Sequence, residues 1–174
     1  IDLNDTINYL LSRGDHLSSL DRYFWTPDTK YNMNRRLIVP FYWNDKIVGY
    51  TGRSIDKNPK IRYFSSIQSN YIYNTEIIKE HHKYIFVVEG VFDALSINGV
   101  AMLGDKCSPS QAHWLNSQIK YNGKQIVVIP DQEKYGGELL KIAKANEWYV
   151  SFPKWENCKD CADAAKKYGY ISTV

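Results

Sequence analysis

Long apolar runs are missing from this chain. None approaches the ~18–20 consecutive apolar residues that a helix needs to cross a bilayer. No membrane association is expected, and no secretory signal pattern occurs. Cysteine is scarce. Cys107, Cys158 and Cys161 do not suggest a disulfide scaffold and fit a reducing compartment such as the cytoplasm. "CKDC" at 158–161 is formally a CxxC, but a zinc ribbon needs a second ligand pair, and no other CxxC or HxxxH exists. Two small, half-buried side chains at a helix start account for it. "HH" at 81–82 reads as exposed loop histidines. The chain begins with Ile rather than Met, as expected of a fragment or a processed protein.

A large charge excess is also lacking. Twenty-two basic residues face 19 acidic ones, leaving +3, too little to prove a polyanionic partner. The distribution says more, because arginine disappears after residue 62. Between Lys30 and Arg62 eight basic side chains (Lys30, Arg35, Arg36, Lys46, Arg53, Lys57, Lys60, Arg62) are opposed only by Asp45 and Asp56. Arginine suits bidentate phosphate contacts. Tyr31, Phe41, Tyr42, Trp43, Tyr50, Tyr63 and Phe64 are interleaved with these cations. Basic plus aromatic residues on one surface fit single-stranded nucleic acid. A solvated sheet face with core aromatics fits the composition as well.

The chain reads as two halves, 1–82 and 83–174. In the first, "NDTINYLLSR" has helical spacing with Gly14 as its stop, and residues 17–24 suggest a short helix. "RLIVPFYW" and "KIVGYTGR" are strands around an Asn-Asp turn, and "KIRYFS" is a third. Pro40 restricts the first of these to an edge or bulged strand. Residues 66–82 are irregular, with a short helix near Thr75–Glu80. From Lys83 onward strands alternate with helices: "YIFVV" and "VFDALSI", "GVAML" and "SQAHWLNSQIK", "QIVVIP" and "YGGELLKIAKAN", "WYVSFP" and "DCADAAKKYG". Four strands each followed by a helix predict an α/β half, with a mainly parallel sheet covered on both faces. A small mixed α+β basic lobe precedes it.

In a parallel sheet every strand C-terminus lies on one edge, where ligands bind at the switch in strand order. Glu89 ends the first strand of this half and Asp131 the third. Asp93 follows Glu89 by about one helical turn. Glu133 lies two residues beyond Asp131, Asp160 opens the last helix, and Lys106 adds a cation. Carboxylates gathered without partners repel one another. Divalent cations relieve that, and Mg²⁺ shares its oxygen ligands between carboxylates and substrate phosphates. Taken singly, Asp93 reads as an acid at a helix N-terminus, Asp160 and Asp163 as capping or solvated residues, and Glu133 as a loop charge.

These motifs resemble a TOPRIM domain, the Rossmann-like catalytic module of DnaG-type primases, topoisomerases and some nucleases. "VVEGVFDAL" looks like the strand–Glu–Gly motif with the primase-type Asp four residues on. "VVIPDQEKYGGELL" is similar to the second, usually Asp-x-Asp, motif. "KDCADAAKKYG" resembles the Lys-Asp-x-x-Asp segment of primases. Upstream, "YLLSRG" and "RRLIVPFYWNDKIVGYTGRSID" followed by "KIRYFSS" are similar to the basic lobe before TOPRIM, with a flavour closest to phage DNA primases. The resemblance implies RNA primer synthesis on single-stranded DNA from NTPs with Mg²⁺ or Mn²⁺, beside a replicative helicase. A phage-encoded protein would work in the bacterial host cytoplasm. Glu89, Asp93, Asp131 and Glu133 are then the catalytic acids. Glu89, Asp131, Glu133 and Asp160 hold metal, while Arg35, Arg36, Arg53, Lys60, Arg62 and Lys106 face phosphates. Two departures stand out. The second motif is Asp-x-Glu, one methylene longer than usual, and the zinc ribbon of primases does not occur within these residues. A TOPRIM-type nuclease and a non-catalytic module binding single strands or a helicase are the alternatives.

Overall fold

The computed structural model describes residues 2–13, 17–132 and 137–169. The chain divides into two compact units, Ile1–Ser69 and Asn70–Val174. The division expected from sequence lay at 82/83. Residues 70–82 go with the second unit because they tie into it: Tyr73 pairs with Ala101, and the Asn74 side chain donates to the Gly99 carbonyl at 2.9 Å.

The first unit opens with α1 (Asp2–Ser12) and a 3₁₀ turn, Leu17–Arg22. Gly14, the expected stop of α1, lies outside the described residues. A three-stranded antiparallel sheet follows in the order β1 (Arg36–Trp43), β2 (Lys46–Ser54), β3 (Tyr63–Ser66). Leu37, Val39 and Phe41 alternate into the core. Asn44 and Asp45 both take positive φ in the hairpin turn, the conformation that Asn and Asp tolerate best. β1 is an edge strand, as Pro40 requires. Ile38 uses its outward N–H and C=O on Phe24, so by the two-residue period the missing N–H of Pro40 also faces away from the ladder.

The register slips between Phe41 and Tyr42, opposite Gly49. A Cβ on Gly49 would stand 2.4 Å from the Ser66 carbonyl oxygen and 3.2 Å from the Phe41 ring. Backbone cannot yield there as a flexible side chain would. Gly49→Ala is therefore expected to destabilise this unit by about 1–3 kcal/mol, the usual scale of overpacking. A denaturant midpoint equal to wild type would contradict the close approach.

The second unit has a four-stranded parallel sheet, ordered β5 (Val100–Ala101), β4 (Tyr84–Val88), β6 (Gln125–Val128), β7 (Tyr149–Val150). The connecting helices are α2 (Val91–Ile97), α3 (Pro109–Asn122) and α4 (Glu138–Ala145), and α5 (Cys161–Tyr168) follows β7. Ile85, Val87, Val100, Leu115, Ile126, Val128, Leu139 and Trp148 form its core. Apolar residues point to both faces because helices cover both. Ser108 and Gln111 form a reciprocal capping box at the start of α3, with Pro at its first position. Lys124 is buried, and its ammonium donates to the carbonyls of Lys79 (2.8 Å), Glu80 (2.6 Å) and His82 (2.5 Å). These bonds pin the segment that leads into β4. Among the described residues no helix is long and apolar enough to cross a membrane.

Candidate active site

The chain leaves β4 toward β5 on one side and leaves β6 toward β7 on the other. The strand order therefore switches between β4 and β6, where parallel sheets open a ligand crevice at their C-terminal edge. Val87 pairs with Val128, and the Ile129 N–H donates to the Val87 carbonyl at 2.9 Å. Continuing that register sets Glu89 beside Pro130, one residue before Asp131. The two acids leave neighbouring strands at the same end. Glu89 is buried and Asp131 half-buried.

Backbone bonds draw the other loops to this edge. The Gly104 N–H donates to the Glu89 carbonyl at 3.2 Å, holding the loop after β5 that carries exposed Lys106. The Gln132 N–H donates to the Lys159 carbonyl at 2.7 Å, joining the Asp131 loop to the segment before α5. Asp160 caps α5, its Oδ1 accepting from the Asp163 N–H at 2.8 Å, while its Oδ2 lies 3.9 Å from the Lys159 ammonium. Asp93 belongs to the first turn of α2, yet its Oδ1 accepts from the Ala162 N–H of α5 at 3.0 Å. Its Oδ2 sits over Gly90, 2.7 Å from where a Cβ would stand.

A buried thiol reports the convergence. Cys161 is pushed far above the ordinary thiol range by burial, then by the negative charges of Asp93, Asp160 and Asp131. Three of the expected acids, one in α2, one after β6 and one capping α5, thus act on one thiol. Burial alone pushes Cys107 up to about 11. Both thiols are almost wholly protonated near neutrality. At pH 8 iodoacetamide should label Cys107 roughly tenfold or more slowly than a free thiol with its pKa near 8.5, a difference that peptide mass mapping measures. Cys161 begins α5, and both Cys158 and Cys161 are buried, deeper than the half-buried placement expected from sequence.

Glu133 lies outside the described residues. Among the described residues no three His, Cys, Asp or Glu side chains form a ready ion cage. The donors at this edge are nonetheless all carboxylate oxygens. Mg²⁺, which keeps several waters and takes one or two carboxylates plus substrate phosphates, fits so sparse a set.

The basic residues of the first unit separate into kinds. Arg36 is corrected from phosphate ligand to structural residue. Its buried guanidinium donates to the carbonyls of Asn32 (2.7 Å), Gly52 (3.1 Å), Arg62 (3.2 Å) and Ile61 (3.0 Å). Arg35 is held by Asp56 at 2.8 Å and Asp5 at 3.0 Å, which raise its already high pKa. Arg53 donates to the Tyr63 hydroxyl and stands 5.1 Å from the centre of that ring and 5.9 Å from that of Tyr9. Lys60 and Arg62 are exposed. Sequence reasoning passed over Gln132, whose side-chain Nε2 is buried without an acceptor among the described residues. Only its place beside Asp131 could have drawn notice.

Known proteins carry the same arrangement of elements. The structure of the DnaG catalytic core superposes with a TM-score of 0.69 at 14% identity, over 97% of this chain and 70% of that one. The E. coli primase catalytic core gives 0.69 at 15% identity, over 98% and 71%. The chain has the fold of the DnaG primase catalytic core. The Aquifex aeolicus primase, with its zinc-binding and RNA polymerase domains, matches at a TM-score of 0.59 and 22% identity, over 88% of this chain and 43% of that one. By sequence the chain is 24% identical over 148 residues to the DNA primase of Mycoplasma genitalium, covering 75% of this chain and 24% of that protein. No family model matches. The DnaG-core fold and the sequence match to a DNA primase agree with the family read from the motifs. The phage flavour expected there is no part of what these relatives show.

Proposed function

We propose that this chain is the catalytic core of a DNA primase, joining ribonucleotides into short primers on single-stranded DNA. One observation carries the reading. On a DnaG-core fold, Glu89 and Asp131 follow adjacent parallel strands at the switch in strand order, and the backbone bond from Gln132 to Lys159 brings Asp160 to the same edge. Glu89, Asp131 and the Oδ2 of Asp160 would hold Mg²⁺ or Mn²⁺, with Glu133 two residues beyond Asp131 in sequence. The bound ion would supply charge neutralisation at the reacting phosphate and a more acidic attacking hydroxyl.

The chain's own groups have the remaining tasks. Burial keeps water from Glu89, which strengthens its charge interactions. Lys106 and the amide of Gln132, which has no acceptor among the described residues, suit nucleotide phosphate oxygens, since a buried donor gains most when it meets an acceptor. In the first unit Lys60, Arg62 and Arg53 suit the phosphates of the template strand. Exposed Tyr42 and Trp43, at the tip of the β1–β2 hairpin, offer ring faces for its bases. A zinc-ribbon module and a replicative helicase are the expected partners, and the cytoplasm the expected location.

The test is template-directed synthesis. The chain is incubated with NTPs, Mn²⁺ or Mg²⁺ and single-stranded DNA, and the products are separated by size. New oligoribonucleotides support the proposal. Shortened DNA would mean the nuclease reading, and binding without turnover that persists in chelator would mean a non-catalytic module.

A further inference from the structure

We infer that Asp93 is a positioning residue, which fastens the start of α5 to the β4–α2 corner and so sets Asp160 toward Asp131. The inference rests on the primase reading for its consequence in catalysis, but its geometry stands apart from that reading. Asp93 and Ala162 are 69 residues apart in sequence, yet they share a 3.0 Å hydrogen bond. The helix that Asp93 caps is not the one it belongs to. An acid in the first turn of α2 would ordinarily serve α2 itself, yet the Oδ1 of Asp93 takes a first-turn N–H of α5. Asp160 takes the next N–H, that of Asp163, at 2.8 Å. Two carboxylates from different loops thus satisfy consecutive orphan donors of one helix end.

Three further observations make this a fastening. Oδ2 of Asp93 lies over Gly90, where a Cβ would come within 2.7 Å, so the side chain is braced against the residue following Glu89. α2 packs on α5, and Ala94 of the one and Ala164 of the other are fully buried. The Gln132 N–H bond to the Lys159 carbonyl fixes the other side of the same turn at 2.7 Å. The segment 159–162 is therefore held from one side by the loop of Glu89 and from the other by the loop of Asp131. Asp160 lies between these two attachments. Its position follows from them, and Asp93 is the one made by a side chain.

Asn at position 93 keeps the acceptor oxygen and loses the charge, whereas Ala loses both. Wild type, Asp93→Asn and Asp93→Ala are compared by amide hydrogen exchange at Ala162 in metal-free protein, by Mn²⁺ titration and by primer synthesis. For a positioning residue, in place of the catalytic acid that the resemblance implies, Asp93→Asn keeps Ala162 protected and loses less Mn²⁺ affinity and less synthesis than Asp93→Ala. In Asp93→Ala, Ala162 exchanges roughly fivefold faster or more, the scale of a lost helix cap, and Mn²⁺ affinity falls with it. The inference is overturned if Asp93→Asn loses Mn²⁺ binding as fully as Asp93→Ala while Ala162 stays protected, since the charge would then be serving the ion. It is equally overturned if Ala162 exchanges alike in all three proteins. A wild type that binds no Mn²⁺ and makes no primers would sink the primase reading, while Ala162 exchange would still decide the role of Asp93.

Discussion

Asp131→Ala is expected to lower primer synthesis by roughly a hundredfold or more, the scale on which removal of one charge-stabilising group acts in an active site. Glu89→Gln should do the same. The side chains are asked to hold charge at the sheet edge, and the backbone around them is secured independently. Ile129 bonds to β4, and Gln132 bonds to Lys159, through main-chain groups alone. Removing the Asp131 carboxylate leaves these backbone bonds in place, so the variant should still fold. Glu89→Gln keeps the shape of a buried side chain and changes its charge. A steady-state assay with saturating Mn²⁺, together with a melting curve, separates the effects. If either variant, folded as wild type, makes primers at the wild-type rate, that carboxylate is no part of the site.

Arg36→Ala is expected to have the largest effect on stability. Its guanidinium is buried and reaches four carbonyls on three segments, residues 32, 52 and 61–62. A hydrogen bond from a charged donor contributes about 1.5–3 kcal/mol, and carbonyls left buried without a donor add to the loss. Since these bonds act as a unit and some carbonyls regain water, a total of about 3 kcal/mol is reasonable. That is roughly 6–12 °C in the midpoint for a chain of this size. Arg35→Ala should differ sharply from it. Its partners Asp5 and Asp56 are surface groups, so the midpoint should barely change, because exposed ion pairs contribute little. Parallel melting curves of the two variants make the comparison. A midpoint for Arg36→Ala no lower than for Arg35→Ala would return Arg36 to the set of phosphate-facing residues.

These neighbouring arginines show where the sequence stops being informative. Nothing local distinguishes them. Arg36 begins β1 in register with Ser54, and the carbonyls it binds lie 16 to 26 residues further on as well as four before. The strands themselves were legible, because β1, β4 and α2 have the bounds that "RLIVPFYW", "YIFVV" and "VFDALSI" announce. Pro40 pointed to an edge or bulged strand, since a residue without an N–H has few other places in a sheet, and β1 is an edge strand with a register slip after Phe41. β5 and β7 shortened to two residues each, and the short helix near Thr75–Glu80 reduced to a 3₁₀ turn at Thr75–Ile77. Their local patterns are weak, and pairing sets their length.

The acids follow the same division. That Glu89 and Asp131 follow strands is written in the apolar runs before them, although β6 stops at Val128, three residues before Asp131, and a parallel sheet then sends both to one edge. Residue type already gave Asp160 as a cap. Periodicity could not tell that β4 and β6 are neighbours, because strand order arises from which faces the helices cover. Nor could it tell that Asp93 serves α5. Local pattern reaches about one helical turn or one strand, so the sequence by itself determined the elements and the types of residue at their ends. Contacts between residues far apart in the chain are made only when the elements pack. Tertiary structure alone therefore decided which loops share the sheet edge, which arginine is buried, and which helix each carboxylate caps.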